Sequence, residues 1–155
     1  MLLEHEIVVA APLERTWSFF LDVPAVAACM PGVERIEAIG PNEYSGAVRL
    51  KVGPLGFRLT GRLTRETVDE AEHTAGLAVT AEDRALASAV SAKLRLALTP
   101  GNGERETRVT LHTDASVLGK LGQFGQGAIR LAADGVMKQF AARVRERLTT
   151  GAEVN

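Results

Sequence analysis

Near the start of the chain, Leu3, His5, Ile7 and Val9 alternate with Glu4, Glu6 and Val8. Alternate residues from Leu3 to Val9 fall on one side of an extended segment, which is typical of a half-buried strand. Two short helical segments follow, because Pro12 suits a helix start and Pro31-Gly32 ends the second segment firmly. The pattern therefore predicts a strand and then two helices, the second over residues 24–30.

Alternating segments separated by turns with glycine and proline dominate the middle of the chain. The turns at residues 40–42, 53–56 and 100–103 are short, so consecutive strands must run antiparallel. We therefore expect six further strands in succession, the last of them ending near Asp114. A helix of up to thirty residues, from about Val117 to Thr149, completes the pattern.

This order of elements predicts an α+β fold. We expect a helix-grip arrangement, in which a curved antiparallel seven-stranded sheet wraps around a long C-terminal helix and two short helices lie between strands 1 and 2. Such a fold encloses an elongated apolar cavity between sheet and helix. We expect a single domain over residues 1–149 and a flexible tail at residues 150–155.

Composition excludes several classes of protein. Hydrophobic residues make up 46% and charged residues 24% of the 155 positions, which is ordinary for a globular domain. The net charge of −1 provides no positive field for nucleic acid. A single cysteine, Cys29, excludes an internal disulfide and a multi-cysteine metal site. We see no signal peptide and no apolar run long enough to cross a membrane, so we expect a cytoplasmic protein.

Four sequence blocks point to one family. They are Trp17 with Asp22-Val23-Pro24, then Cys29-Met30-Pro31-Gly32-Val33, then Lys51-Val52-Gly53-Pro54 with Gly61, and Leu118-Gly119-Lys120-Leu121-Gly122-Gln123-Phe124-Gly125. In this order and spacing, over about residues 3–148, the chain resembles the family of the carbon monoxide dehydrogenase G subunit. That family falls within the START and birch-pollen-allergen superfamily.

The resemblance implies a non-catalytic accessory protein of a molybdenum hydroxylase such as carbon monoxide dehydrogenase. Its role would be to help attach that enzyme to the inner membrane or to pass electrons to a quinone. The resemblance implies a bound quinone or lipid in the cavity and no covalent cofactor. It places the protein in the cytoplasm or peripherally on the inner face of the membrane. Because the sequence stops at Asn155, we expect no permanent membrane anchor.

The last helix should present one apolar face to the sheet. On a helical wheel that face has small residues in its first half, which places the roomier part of the cavity near residues 122–133. Close packing of the helix on the sheet without a cavity is the alternative interpretation. The residues we expect to contact the ligand are Trp17, Phe20, Tyr44, Val48, Leu50, Phe57, Leu59, Leu94, Leu96, Gly125, Ile129, Met137 and Phe140.

A second apolar strip on the same wheel points away from the sheet. Leu121, Phe124 and Leu131 lie on it, where an ordinary amphipathic helix would be polar. It could serve as a surface for a partner enzyme, a homodimer or a membrane. Loops or the first two helices covering the strip are the alternative.

Catalytic and metal chemistry receives little support from the residue pattern. The glycines near residue 122 match neither the dinucleotide nor the phosphate-loop spacing, and the three histidines lack metal-ligand spacing. His5 is the best single acid–base candidate because it shares the apolar face of the first strand.

The sequence leaves three hypotheses: a carrier of a lipophilic molecule, which we favour, a docking adaptor without a ligand, and a small cyclase- or hydratase-like enzyme on a hydrophobic substrate.

Overall fold

The computed structural model describes the backbone of residues 1–154 and the side chains of residues 1–149. Seven strands, two short helices and one long helix make up this part of the chain. They are β1 (Leu2–Val9), α1 (Leu13–Leu21), α2 (Val23–Cys29), β2 (Val33–Gly40), β3 (Glu43–Val52), β4 (Leu55–Asp69), β5 (Thr74–Asp83), β6 (Ser88–Gly101), β7 (Gly103–Gly119) and α3 (Gly125–Val154), with a 3-10 turn at Gly122–Phe124 before α3.

The strands form one antiparallel sheet in the order β1-β7-β6-β5-β4-β3-β2. Each strand from β2 to β7 pairs with its neighbour along the chain, and β1 pairs with β7. This arrangement follows from the short turns, because a hairpin connection places consecutive strands side by side. The predicted α+β helix-grip fold is thereby confirmed, with β1 and β2 at the two edges.

The two short helices are fixed over the sheet by local hydrogen bonds. Helix α2 begins after Asp22, whose side chain accepts a hydrogen bond from the Ala25 N–H at 3.2 Å. Arg65 of β4 donates from Nη1 to the Leu21 carbonyl oxygen at 2.7 Å. The junction between α1 and α2 is therefore held to the middle of the sheet.

The prediction that the last helix begins near Val117 is wrong. Residues up to Gly119 continue β7, which pairs with β6 as far as Ser88. Gly119 ends the strand with a φ of +79°, and a side chain at this position would collide with the Ala87 carbonyl oxygen. The helix starts only at Gly125 and its backbone extends to Val154. The predicted flexibility of residues 150–155 lies outside the described side chains and stays a prediction.

The apolar side chains pack in two separate clusters. The first core cluster joins α1, α2, β1 and the second half of α3, with Trp17, Leu98 and Val144 among its most buried members. The second core cluster lies at the other end of the sheet around Phe57 and Leu121, where α3 begins. This division leaves a region between the clusters that belongs to neither.

Candidate ligand-binding cavity

An apolar cavity of about 200 Å³ lies between α2 and strands β2 to β5. Helix α2 forms one wall, and the inner side of the sheet with the β2 edge forms the other. Its lining residues are almost all hydrophobic or glycine, and its charged members are two arginines. They are Val23, Val26, Ala27, Met30, Val33, Arg35, Ile36, Gly46, Ala47, Val48, Leu59, Gly61, Arg62, Leu63, Val79, Thr80 and Ala81.

A pair of glycines leaves room on the sheet wall. Gly46 of β3 lies directly opposite Gly61 of β4. A Cβ atom on Gly46 would come within 2.6 Å of the Arg35 carbonyl oxygen, and one on Gly61 would collide with the Thr80 carbonyl oxygen. The strands therefore approach each other here in a way that requires glycine, and the missing side chains leave space above the sheet.

Between the two core clusters, the inner face of the sheet carries residues that belong to neither cluster. Register pairing places two adjacent rows of residues on the inner face between the clusters, running from β3 to β1. The apolar members of these rows belong to neither cluster, and most are only half-buried. We call this region the interior gap and define it by Tyr44, Leu63, Val79, Ala92 and Ala115 in one row and Leu77, Leu94, Thr113 and Leu3 in the next.

Part of the long helix also carries side chains that belong to neither cluster. Ile129, Ala133 and Val136 of α3 are half-buried and also belong to neither cluster. Further along the helix, Phe140 and Val144 are buried in the first core cluster. The lining of the cavity includes no residue of α3, so the prediction that the first half of this helix leaves more space than the second stays a prediction.

The helical wheel predicted the cavity near residues 122–133. The cavity in the structure does not include these residues. Two of the predicted ligand residues, Val48 and Leu59, line it. Tyr44, Leu94 and Ile129 border the interior gap. The remaining side chains pack in the core: Trp17, Phe20, Leu96, Met137 and Phe140 in the first cluster, Leu50 and Phe57 in the second. Gly125 is exposed at the start of α3, with a φ of +82°. Direct contact of any of these residues with a ligand stays a prediction.

Trp17 is a structural residue in this arrangement. Its side chain is 2% exposed, and its Nε1 donates to the Glu70 carboxylate at 2.6 Å. Its ring also packs against His73 in a T-shaped arrangement, with ring centres 5.3 Å apart. The indole therefore has its polar group satisfied by the protein, and the cavity lining does not include it.

The predicted partner strip is wrong for Leu121, and Phe124 of the strip is half-buried. Leu121 is 2% exposed, and its N–H donates to Ser88 Oγ at 3.0 Å. Phe124 packs edge-on against Phe57 in the second core cluster. Both residues precede the helix, so the helical wheel misplaced them. Leu131, which is 75% exposed, remains on the surface.

Sequence reasoning missed the contribution of α2 to the cavity. Val23, Val26, Ala27 and Met30 face it, yet they lie far along the chain from the opposing strands. A usable signal was present, because residues 23–30 contain no charged side chain at all. An uncharged short helix in a domain of this size must cover apolar surface on more than one side.

Glu34, beside the cavity-lining Val33 and Arg35 in the chain, forms two ion pairs. Glu34 accepts from Arg49 at 2.8 Å and from Arg58 at 2.7 Å, and these bonds lower the pKa of its carboxyl. Among the side chains of residues 1–149, no group of three or more metal-ligating residues comes together. No helix within the described part of the chain has the length and apolar character needed to cross a membrane.

Solved structures with this fold include both enzymes and proteins described only by their fold or conservation. A conserved protein from Geobacillus kaustophilus aligns with a TM-score of 0.86 at 21% identity, covering 97% of this chain and 96% of that one. A START superfamily protein from Mycobacterium smegmatis aligns at 0.71 and 13% identity, with 96% and 97% covered. Norcoclaurine synthase from Thalictrum flavum aligns at 0.70 and 14% identity, with 98% and 96% covered. At these identities the likeness establishes the START-type fold alone.

Comparison at the level of sequence is more specific. No curated protein matches the chain significantly. A family model does match, and the matched segment runs from residue 6 to residue 149, which includes all four blocks described above. The chain therefore belongs to the family of the carbon monoxide dehydrogenase G subunit, CoxG.

Proposed function

We propose that this protein binds a lipophilic molecule in the cavity between α2 and strands β2 to β5, as an accessory protein rather than a catalytic one. The apolar lining of a cavity of about 200 Å³ is the observation that carries this proposal. Burying an apolar ligand there would contribute about 25 cal/mol for each Å² removed from water. Membership of the CoxG family supports an accessory role.

The size of the cavity restricts what it can hold completely. At about 30 Å³ per heavy atom, the volume of a liquid water molecule, a space of 200 Å³ holds about seven heavy atoms. The six ring carbons of a quinone or a segment of an acyl chain match this number, and the rest of such a molecule would extend out of the cavity. We therefore propose a quinone or a lipid as the ligand.

The partner proposed from the family is a molybdenum hydroxylase of the carbon monoxide dehydrogenase type. A carried quinone would accept electrons from that enzyme, and a carried lipid would help bring it to the membrane surface. Either role requires reversible binding of an apolar molecule, which the open side of the cavity favours. A homodimer is not part of this proposal, because Leu121 is buried, Phe124 is half-buried and only Leu131 of the strip that suggested one is exposed.

Filling the cavity tests the proposal. Ala27→Leu adds three heavy atoms, about 90 Å³, to a residue that lines the cavity on α2. Ala28→Leu makes the same change one position along the same helix, at a residue that is exposed. We expect Ala27→Leu to weaken binding of ubiquinone-1, measured by calorimetry, at least tenfold, and Ala28→Leu to leave it unchanged. Equal binding by both variants and the unmodified protein would contradict a ligand site at this position.

A further inference from the structure

The two edges of the sheet differ in how the rest of the chain covers them. Arginines of α3 donate to the carbonyl oxygens of Leu2 and Val8 on the β1 edge. Strand β2, at the other edge, packs against β3 and α2. Among the described residues, no side chain forms a hydrogen bond with a backbone group of residues 34–39. The backbone groups of β2 that point away from β3 are therefore left to solvent.

The regular part of β2 carries two opposite charges on its outer face, the side of the sheet away from the helices. Residues 35–38 pair with β3 without a break, and Ile36 lies on the inner face opposite Gly46. Arg35 and Glu37, on either side of it, share the outer face. Their side chains are 42% and 63% exposed, and Arg35 Nη1 lies 4.0 Å from Glu37 Oε2. Both charges are therefore accessible to a second strand.

This short segment is complementary to itself in the antiparallel direction. If two copies of β2 pair about a two-fold axis at Ile36, Arg35 of each copy lies opposite Glu37 of the other. An axis at Arg35 would instead place two arginines opposite each other, and an axis at Glu37 two glutamates. A shift of the pairing by one residue would place charged side chains opposite the inner-face Ile36. Charge and facing together therefore select one register.

The apolar residues of β2 are also left open at this edge. Ala38 pairs with Tyr44 on the inner face and yet is exposed, so the helices do not cover this end of the strand. Ile39 is 47% exposed. In the selected register Ile36 of one copy lies beside Ile36 of the other. Pairing with a second copy would therefore remove apolar surface from water as well as join opposite charges.

We propose that β2 is a self-association surface, through which two copies of this chain join their sheets edge to edge in the antiparallel direction. The dimer does not use the apolar strip that includes Leu131, and it does not depend on the proposed ligand. Because Val33 and Ile36 also line the apolar cavity, the interface lies beside the cavity of each copy. A few backbone hydrogen bonds, two pairs of charges and a small apolar contact form it, so the dimer dissociates on dilution.

Charge reversal tests the register. Arg35→Glu and Glu37→Arg each place two pairs of like charges in the interface, whereas the double variant restores opposite charges. We expect sedimentation equilibrium to show a monomer–dimer equilibrium for the unmodified protein and about tenfold weaker association for each single variant. The double variant should associate like the unmodified protein. Glu104→Arg is the control, because it makes the same change of charge as Glu37→Arg at an exposed residue of β7.

Three outcomes would overturn the proposal. An unmodified protein that stays monomeric at every concentration would show that β2 does not associate. A dimer that withstands both single changes would form through a different surface. A double variant that associates as weakly as the single variants would show that Arg35 and Glu37 do not lie opposite each other.

Hydrogen exchange of the unmodified protein provides a second test, which needs no variant. The outward amides of β2 become protected only when a second strand accepts hydrogen bonds from them. We expect exchange over residues 34–39 to slow as the protein concentration rises through the dimer transition, and exchange over residues 2–9 of β1 to stay unchanged. Exchange over residues 34–39 that does not depend on concentration would contradict pairing through β2.

Discussion

Asp83 shows how a single carboxylate organises the turn between β5 and β6. Its Oδ2 accepts from the Arg58 N–H at 2.9 Å, and its Oδ1 accepts from the Leu86 N–H at 3.0 Å. The residue is 7% exposed. These backbone donors, Arg58 first, lower the pKa of the carboxyl below its ordinary value near 3.8. The turn that borders the second core cluster is thus fixed by a charged group.

The lowered pKa of Asp83 predicts a pH dependence of folding. Because the folded-state pKa lies below the unfolded value, the stabilisation is fully present above about pH 4 and is lost as the pH falls through the folded-state value. Asp83→Asn replaces one of the two accepting oxygens with a donor. We expect the variant to unfold at lower urea concentration at pH 7 and to lose less stability than the unmodified protein on acidification.

Urea unfolding between pH 2 and pH 7 measures this effect, with the exposed Glu104→Gln as control. The control should follow the unmodified protein throughout. If Asp83→Asn and the unmodified protein lost stability in parallel below pH 4, the assigned role of this carboxylate would be wrong.

At the scale of the element, α3 protects the exposed edge of β1. Arg130 donates to the Leu2 carbonyl oxygen at 2.7 Å, and Arg145 donates to the Val8 carbonyl oxygen at 2.9 Å. A hydrogen bond between His5 and Asp134 lies between them, so these bonds join helix and strand along most of the strand's length. Unpaired carbonyls on an edge strand invite pairing with other chains, and the arginines occupy two of them.

Most elements could be predicted from local patterns. The exception is the start of α3, and it has a physical cause. Alternation determines which side of β3 and β4 faces inward, so the inward positions of Val48 and Leu59 follow from the pattern. Between residues 115 and 124, however, the mixture of apolar residues, glycines and polar residues has no clear period and suits a strand, a turn and a helix equally. Extending the helical period into this segment places Leu121 on the surface, whereas the β7 pairing and the turn at Gly119 bury it. The start of α3 is thus decided by strand pairing over a long distance.

At the scale of the whole molecule, the main feature of the packing is the division of the core into two clusters. The sequence shows which strands and helices have an apolar face. The interior gap between the two clusters, however, depends on where α2 and α3 cross the sheet. Such tertiary placement carries no local signal, so the sequence predicts a cavity but not its position. The two clusters lie at opposite ends of the sheet, and the region between them contributes less to the packed core.

Two leucines of one strand test this division. Leu98 of β6 is 2% exposed in the first core cluster, and Leu94, four residues earlier on the same inner face, borders the interior gap and is half-buried. We expect Leu98→Ala to lower the free energy of unfolding by about 2–5 kcal/mol. Leu94→Ala should lower it by about 1 kcal/mol or less, because fewer packed contacts are lost. Urea unfolding of both variants measures the difference, and equal losses would mean that the gap is packed like the core.

The central claim, that the fold holds an apolar molecule, is tested most directly by native mass spectrometry of the purified protein, followed by organic extraction and analysis of what is released. Our account predicts a stoichiometric adduct, or one that forms on addition of a quinone or a lipid. A mass equal to that of the bare chain, unchanged after both are added, would contradict the carrier function.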